Sequence, residues 1–232
     1  MGYDSQDGRP VVLDLETAPA HGAEALFTEP VQAPATYKDA DKIAAYIENA
    51  QAKQRARAAL DPWTARIVAL GIWAPGLPAP RVRVARSEAE EAEALAAFWA
   101  LVGSPAGSVA PLVTFNGRAF DLPVLMVRSR LLDVHAPILN IDRYRSPHPD
   151  LLDILTFRGA IASHKLTWFA RRFGLSVTDE TTGADIGALV AAEDWSAVEA
   201  HCASDVALTA RLAARLGLLS WLPADAPAQA VA

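Results

Sequence analysis

The stretch Val11-Val12-Leu13-Asp14-Leu15-Glu16-Thr17 constrains this chain more than any other. It opens as an apolar, β-branched run of the kind that forms a buried strand. Two carboxylates then interrupt it, two residues apart. Residues at that spacing in a strand point to the same side, so Asp14 and Glu16 project together from the end of a core strand. Like charges held side by side repel, and burying them is costly without compensation. A divalent metal, which prefers hard oxygen ligands, supplies that compensation. The plainer alternative is a solvated strand end on which two acids happen to fall, so the pair acquires meaning only if partners appear further along.

Two such partners do. Asp121 follows the run Thr114-Phe115-Asn116-Gly117-Arg118-Ala119-Phe120, in which a strand ends in an Asn-Gly turn and a helix begins. An acid is favoured at a helix start by the dipole, yet Phe120, Leu122, Val124 and Leu125 surround this one with apolar neighbours. Asp205 lies within an apolar stripe of the last helix, Trp195, Val198, Cys202, Asp205, Thr209, Leu212 and Leu216, at steps of three and four. A carboxylate facing a core needs a partner, either a salt bridge or a metal. His201, four residues before Asp205, shares its helix face. On its own it reads as a surface or packing residue; beside a metal-binding carboxylate it is placed to take a proton from a water.

Along the chain, residues 1–9 are polar and are expected to be flexible, and residues 18–36 are rich in Ala and Pro and read as a long loop. Residues 39–60 lack Gly and Pro and carry Ile43, Tyr46, Ile47 and Ala50 at helical spacing. Lys53, Arg55 and Arg57 near the end of that helix suit its dipole and read as a solvated face sooner than a phosphate grip. Strands are expected over 66–73, 81–85 and 111–115, with a helix over 88–102 capped by Ser87. Helices follow over 119–132, 151–157, 165–173, 184–192 and 194–216, with a short strand or turn at Pro149-Asp150, and residues 221–232 read as a disordered tail. Antiparallel strands, a helix and a further strand imply an α/β fold, a mixed sheet flanked by helices.

The whole, 232 residues with 52% apolar and 21% charged, is of ordinary globular composition and fits one domain. No apolar run approaches the roughly 20 residues of a membrane span, so no membrane partner is expected. With no basic region and apolar core at the N-terminus, a cytoplasmic location is the expectation. A single cysteine, Cys202, excludes an intrachain disulfide and argues against a thiolate-built zinc site. The net charge of −6 is not that of a long-duplex binder, although bound metals supply positive charge locally.

An Asp-x-Glu on the first strand, Asn116 through Phe120-Asp121-Leu122-Pro123-Val124-Leu125, and His201-Cys202-Ala203-Ser204-Asp205-Val206 resemble the three motifs of the DEDD 3′–5′ exonucleases. The likeness is greatest to predicted exonucleases related to the proofreading domain of family B DNA polymerases. It covers residues 10–216, within which no polymerase domain is expected, and makes 10–220 the exonuclease domain with residues 18–60 as an elaboration of unread role. One departure stands out. In the family the third motif carries Tyr with three residues between it and the Asp, or His with four; here a histidine stands at the tyrosine spacing.

The resemblance implies a ribonuclease-H-like fold and a metal-dependent 3′–5′ exonuclease. Asp14, Glu16, Asp121 and Asp205 would hold two Mg²⁺ or Mn²⁺ ions, and His201 would help deprotonate the water. Thr17, Asn116, Arg118 and Phe120 become substrate-binding candidates: Asn116 near the scissile nucleotide, Phe120 under the terminal base, Arg118 on a phosphate. The implied substrate is single-stranded nucleic acid or a 3′ end, DNA favoured, giving nucleoside 5′-monophosphates. A polymerase or repair partner leaves no signature in the sequence. Two rivals stand beside this: a module of the same fold that only binds nucleic acid or protein, and an unrelated metal-dependent phosphohydrolase acting on nucleotides.

Overall fold

A computed structural model describes residues 9–26, 31–104, 107–179 and 181–222, without the side chains of Glu24, Arg55 and Ala56. Residues 1–8 and 223–232, and with them nearly all of the expected flexible terminus and tail, lie outside the described residues. Four strands form one sheet in the order β3-β2-β1-β4. They are β1 (Val11–Pro19), β2 (Ala65–Trp73), β3 (Arg81–Val84) and β4 (Leu112–Val113). β1 pairs antiparallel with β2 and parallel with β4, and β2 pairs antiparallel with β3. The expected mixed sheet flanked by helices is therefore the observed architecture.

The apolar alternation of β1 explains why helices cover both faces. Val11, Leu13 and Leu15 enter one buried cluster, with Leu95, Phe98 and Trp99 of α2 (Glu88–Val102) and Leu122 and Leu125 of α3 (Asp121–Leu131). Val12 enters another, with Phe169 of α5 (Leu166–Arg172) and Val206, Ala210 and Leu212 of α7 (Trp195–Arg215). A strand buried on both faces must read as a nearly continuous apolar run. Here the run breaks on the α7 face alone, where Asp14 and Glu16 follow Val12.

Side-chain caps head several of the helices, Ser87 among them as expected. Asp39 accepts from the Asp41 and Lys42 N–H groups at the head of α1 (Ala40–Ala58), Ser87 from Glu90, and Asp194 from Ala197. β4 is shorter than expected. It lies at the sheet edge, and its outer side is met by irregular chain: the Leu112 N–H donates to His148 Nδ1 (3.1 Å) and the Thr114 N–H to the Pro149 carbonyl (3.1 Å). Among the described residues, a single parallel bridge, Thr114 to Asp150, continues the ladder. Asp150 then caps α4 (Leu151–Leu155), and α6 (Ile186–Ala191) precedes α7.

The 18–60 elaboration closes onto the end of β1. The Thr17 and Thr64 hydroxyls donate to the Ala59 and Ala58 carbonyls, 2.6 and 2.9 Å, and so satisfy carbonyls that α1 leaves open. At the far end, Trp221 and Leu222, read from sequence as tail, belong to the packed domain: the Trp221 indole N–H donates to the Pro10 carbonyl (3.0 Å) and Leu222 is buried in the α7 cluster. Their large apolar side chains find cover that their Ala/Pro-rich surroundings do not announce. Among the described residues no helix is long and apolar enough to cross a membrane.

Candidate active site

β1 and β2 bring the first two acids to α7. Asp14 pairs with Gly71 and Glu16 with Ala69, and a bulge follows between Glu16 and Thr17, a device that re-aims side chains beside functional sites. A β-carbon on Gly71 would lie 2.7 Å from Cys202 Sγ and 2.7 Å from Val206 Cγ2. The missing side chain is what lets α7 settle on the sheet directly opposite Asp14, with Cys202 Sγ 3.8 Å from the Asp14 carbonyl.

The Asn-Gly turn delivers the third acid. Asn116 is in the left-handed region at φ 64°, which asparagine tolerates better than most residues. Gly117 leaves room for Thr114, with which any β-carbon would collide. Asp150 clamps this turn from outside, accepting from the Asn116 N–H (2.9 Å) and the Arg118 N–H (3.1 Å). Asp121 then points inward at the head of α3, where its Oδ1 accepts from the Leu15 N–H at 3.1 Å. The third acid is thus bonded to the peptide that lies between the first two.

From α7, His201 Nε2 stands 3.5 Å from Glu16 Oε1 and 3.9 Å from Asp205 Oδ2. Glu16, His201 and Asp205 form one group of candidate ligand atoms, and Glu16 is shared with a second group made with Asp14 and Cys202. Glu16, Asp121 and His201 are buried, while Asp14 and Asp205 keep part of their surface open to solvent.

Such crowding shifts the acids. Burial, reinforced by Glu16, Asp121 and Asp205, holds the Asp14 carboxyl well above the usual carboxylate range. Burial with Asp205, Asp121 and Asp179 does the same to Glu16. Burial pushes Asp121 up to about 7, against the pull of its own and the Leu15 N–H and with help from Asp150. Asp205 is raised by burial and by Asp179, with His201 opposing. Burial and the four acids push the Cys202 thiol up as well, so it stands there as a neutral thiol and not as a soft thiolate ligand.

The residues present fit a divalent cation. Glu16 and Asp205 beside His201, with Asp14 grouped with the same Glu16, offer hard donors of the kind Mg²⁺ and Mn²⁺ take, while Asp121 falls in neither group of candidate ligand atoms. The chief charges acting on Asp14 and Glu16 are those of other acids, and a cation relieves that repulsion.

One residue of this site carries no sequence signal. Asp179, in the loop before α6, has Oδ2 2.6 Å from His201 Nδ1 and takes the Thr181 N–H on Oδ1 at 2.8 Å. Burial raises its pKa, but the hydrogen bonds from His201 and Thr181 prevail and the net shift is downward, so it is an anion. A carboxylate only accepts; Nδ1 therefore carries the hydrogen and Nε2 is the nitrogen presented to Glu16 and Asp205.

The remaining candidates are placed as follows. The Thr17 hydroxyl is taken by the Ala59 carbonyl. Asn116 is exposed at its turn, and Phe120 packs partly buried against the α2–α3 cluster. The Arg118 guanidinium is held by Asp153, with Nε 2.6 Å from Oδ2. Asp150 and Asp153 are thus a turn clamp and an arginine clamp.

Residues 66–220 match the model of a family described as predicted 3′–5′ exonucleases related to the exonuclease domain of PolB. The match begins after β1, so Asp14 and Glu16 are joined to it by the structure. Comparison with curated proteins finds no match. Among solved structures, the chain is similar to the family B DNA polymerase from the hyperthermophilic archaeon Pyrobaculum calidifontis, at 17% identity and a TM-score of 0.49. That similarity covers 90% of this chain and 24% of the polymerase. By its family match, this chain belongs to the predicted 3′–5′ exonucleases related to the exonuclease domain of PolB.

Proposed function

We propose that the chain hydrolyses the terminal phosphodiester bond at the 3′ end of a single-stranded nucleic acid, DNA in preference, and releases nucleoside 5′-monophosphates. The observation that carries this is the convergence of Asp14, Glu16, Asp121 and Asp205 beside a histidine whose tautomer is fixed. Asp14, Glu16, Asp121 and Asp205 would hold two Mg²⁺ or Mn²⁺ ions. Ions bound there acidify a water and offset charge on the phosphate and the leaving oxygen.

The protein's own part follows from the side chains. Asp179 holds Nδ1–H of His201, which leaves Nε2 to accept the proton of the attacking water. Water oxygen bonds to phosphorus, the bond from phosphorus to the 3′ oxygen of the penultimate nucleotide breaks, and the terminal nucleotide leaves with a 5′-phosphate. A tyrosine at this position, with an ordinary pKa of about 10, would keep its proton near neutral pH and so could not take one from water. At this spacing Asp179 Oδ2 lies 2.6 Å from Nδ1 of the ring and Glu16 Oε1 lies 3.5 Å from Nε2.

A 5′-labelled oligonucleotide incubated with Mg²⁺ or Mn²⁺ should shorten from its 3′ end in a ladder, and EDTA or Asp14→Ala should abolish the ladder. No ladder on DNA or RNA with either metal would leave a binding module; cleavage of free nucleotides with intact oligonucleotides would point to a nucleotide phosphohydrolase.

A further inference from the structure

A cavity of about 430 Å³ opens on the outer side of the Asn116 turn, with Arg118, Arg143, Tyr144, Asp153, Phe157 and Arg158 in its wall. Its charge balance is positive. Arg118 and Arg143 share one carboxylate, Asp153, at 2.6 and 2.7 Å. Arg158 has no carboxylate partner among the described residues; its guanidinium lies 5.1 Å from the centroid of the Tyr144 ring. The cavity's other acid, Asp150, is occupied by backbone N–H groups of the Asn116 turn and α4.

The aromatic content of the wall is equally unusual. Tyr144 and Phe157 are each 72% exposed, and two large rings open to solvent around one cavity mark an interaction site more readily than a lone exposed ring does. Phe157, Arg158 and Gly159 are successive left-handed residues at φ 52°, 60° and 82°. Bulky residues enter that region at a cost and stay only where their surroundings enforce it. The Phe157 N–H donates to the Ile154 carbonyl (3.1 Å) and the Gly159 N–H to Thr156 Oγ1 (3.1 Å), which keeps the turn in place. Two side chains of that turn, the ring and the guanidinium, thereby stand in the cavity wall.

This cavity adjoins the carboxylate centre without being part of it. Asp150 lines it and also acts electrostatically on Asp121, and Arg118 is three residues ahead of Asp121 in the same turn. Guanidinium groups pair with phosphate oxygens, and exposed rings stack on bases of any identity. We propose that this cavity holds a nucleotide of the substrate strand, with its phosphate on Arg143 and Arg158 and its base against Tyr144 or Phe157. The proposal rests on the exonuclease reading, and that reading sets the polarity. The terminal 3′ nucleotide must occupy the carboxylate centre, so a nucleotide in the neighbouring cavity lies on its 5′ side.

Equilibrium binding of 5′-fluorescein-labelled oligothymidylates in EDTA tests this apart from hydrolysis. Tyr144→Ala and Arg158→Asn, the latter tolerant of a left-handed backbone, should each weaken binding of a decamer by roughly tenfold. Tyr144→Phe, which keeps the ring, should bind as wild type does. Arg158→Asn should also flatten the dependence of log affinity on log salt by about 0.7. Decamer binding unchanged in both variants, or a wild-type chain that does not bind the decamer, would overturn the proposal. Failure of the exonuclease reading shows separately, as wild-type protein that binds the decamer but yields no ladder when metal is supplied.

Discussion

Asp179 and His201 show how much of this site rests on single contacts. If Asp179 acts by holding the Nδ1–H tautomer, Asp179→Asn should lower kcat by about 10- to 100-fold with little change in KM, as loss of an orienting partner commonly does. The ¹⁵N resonances of His201 in metal-free protein should move from the Nδ1–H pattern towards a mixture of tautomers. An unchanged spectrum with reduced activity would assign Asp179 a different role. The acids themselves make metal-free stability depend on pH. Asp121 titrates at about 7 in the fold against an unfolded value of about 3.9, so the folded state holds its proton more firmly than the unfolded state does. Its contribution is full below pH 4 and is lost as pH rises through 7, and Asp14 and Glu16 shift in the same direction. In EDTA the wild-type Tm should fall between pH 5 and 7.5, and Asp121→Asn should fall less. Parallel curves would contradict this.

At the scale of elements, the site depends on α7 lying close to the sheet. Gly71→Val would drive a side chain into Cys202 and Val206, at a cost of about 1–3 kcal/mol. A lower Tm should accompany lost activity, because His201 and Asp205 ride on the displaced helix while Asp14 and Glu16 remain on β1. Wild-type activity in Gly71→Val would mean that the two elements need not meet closely. The same elements show what is legible in a sequence. The strand period put Asp14 and Glu16 on one face, the helix period put His201 and Asp205 on another, and Ser87 located the cap of α2. Contacts between distant segments leave no such trace. Asp179 meets His201 across 22 residues from an irregular loop. Glu91 and Arg128 form a buried two-point ion pair at 2.7 and 2.8 Å between α2 and α3, with the Ile67 N–H on the same carboxylate. Neither partner stands out within its own helix.

For the molecule as a whole, the sheet is built from ordinary apolar packing and the exception is confined to one face of one strand. A buried group of acids persists in a marginally stable fold only if something offsets its repulsion, and the account assigns that task to divalent ions. Mn²⁺ titration followed by electron paramagnetic resonance measures it directly. The account predicts two ions per chain in the wild type and a reduced number in Asp14→Asn and Asp205→Asn, with protons released on binding as the raised acids ionise. Absence of Mn²⁺ binding, or undiminished binding in both variants, would contradict a metal centre built on Asp14, Glu16, Asp121 and Asp205.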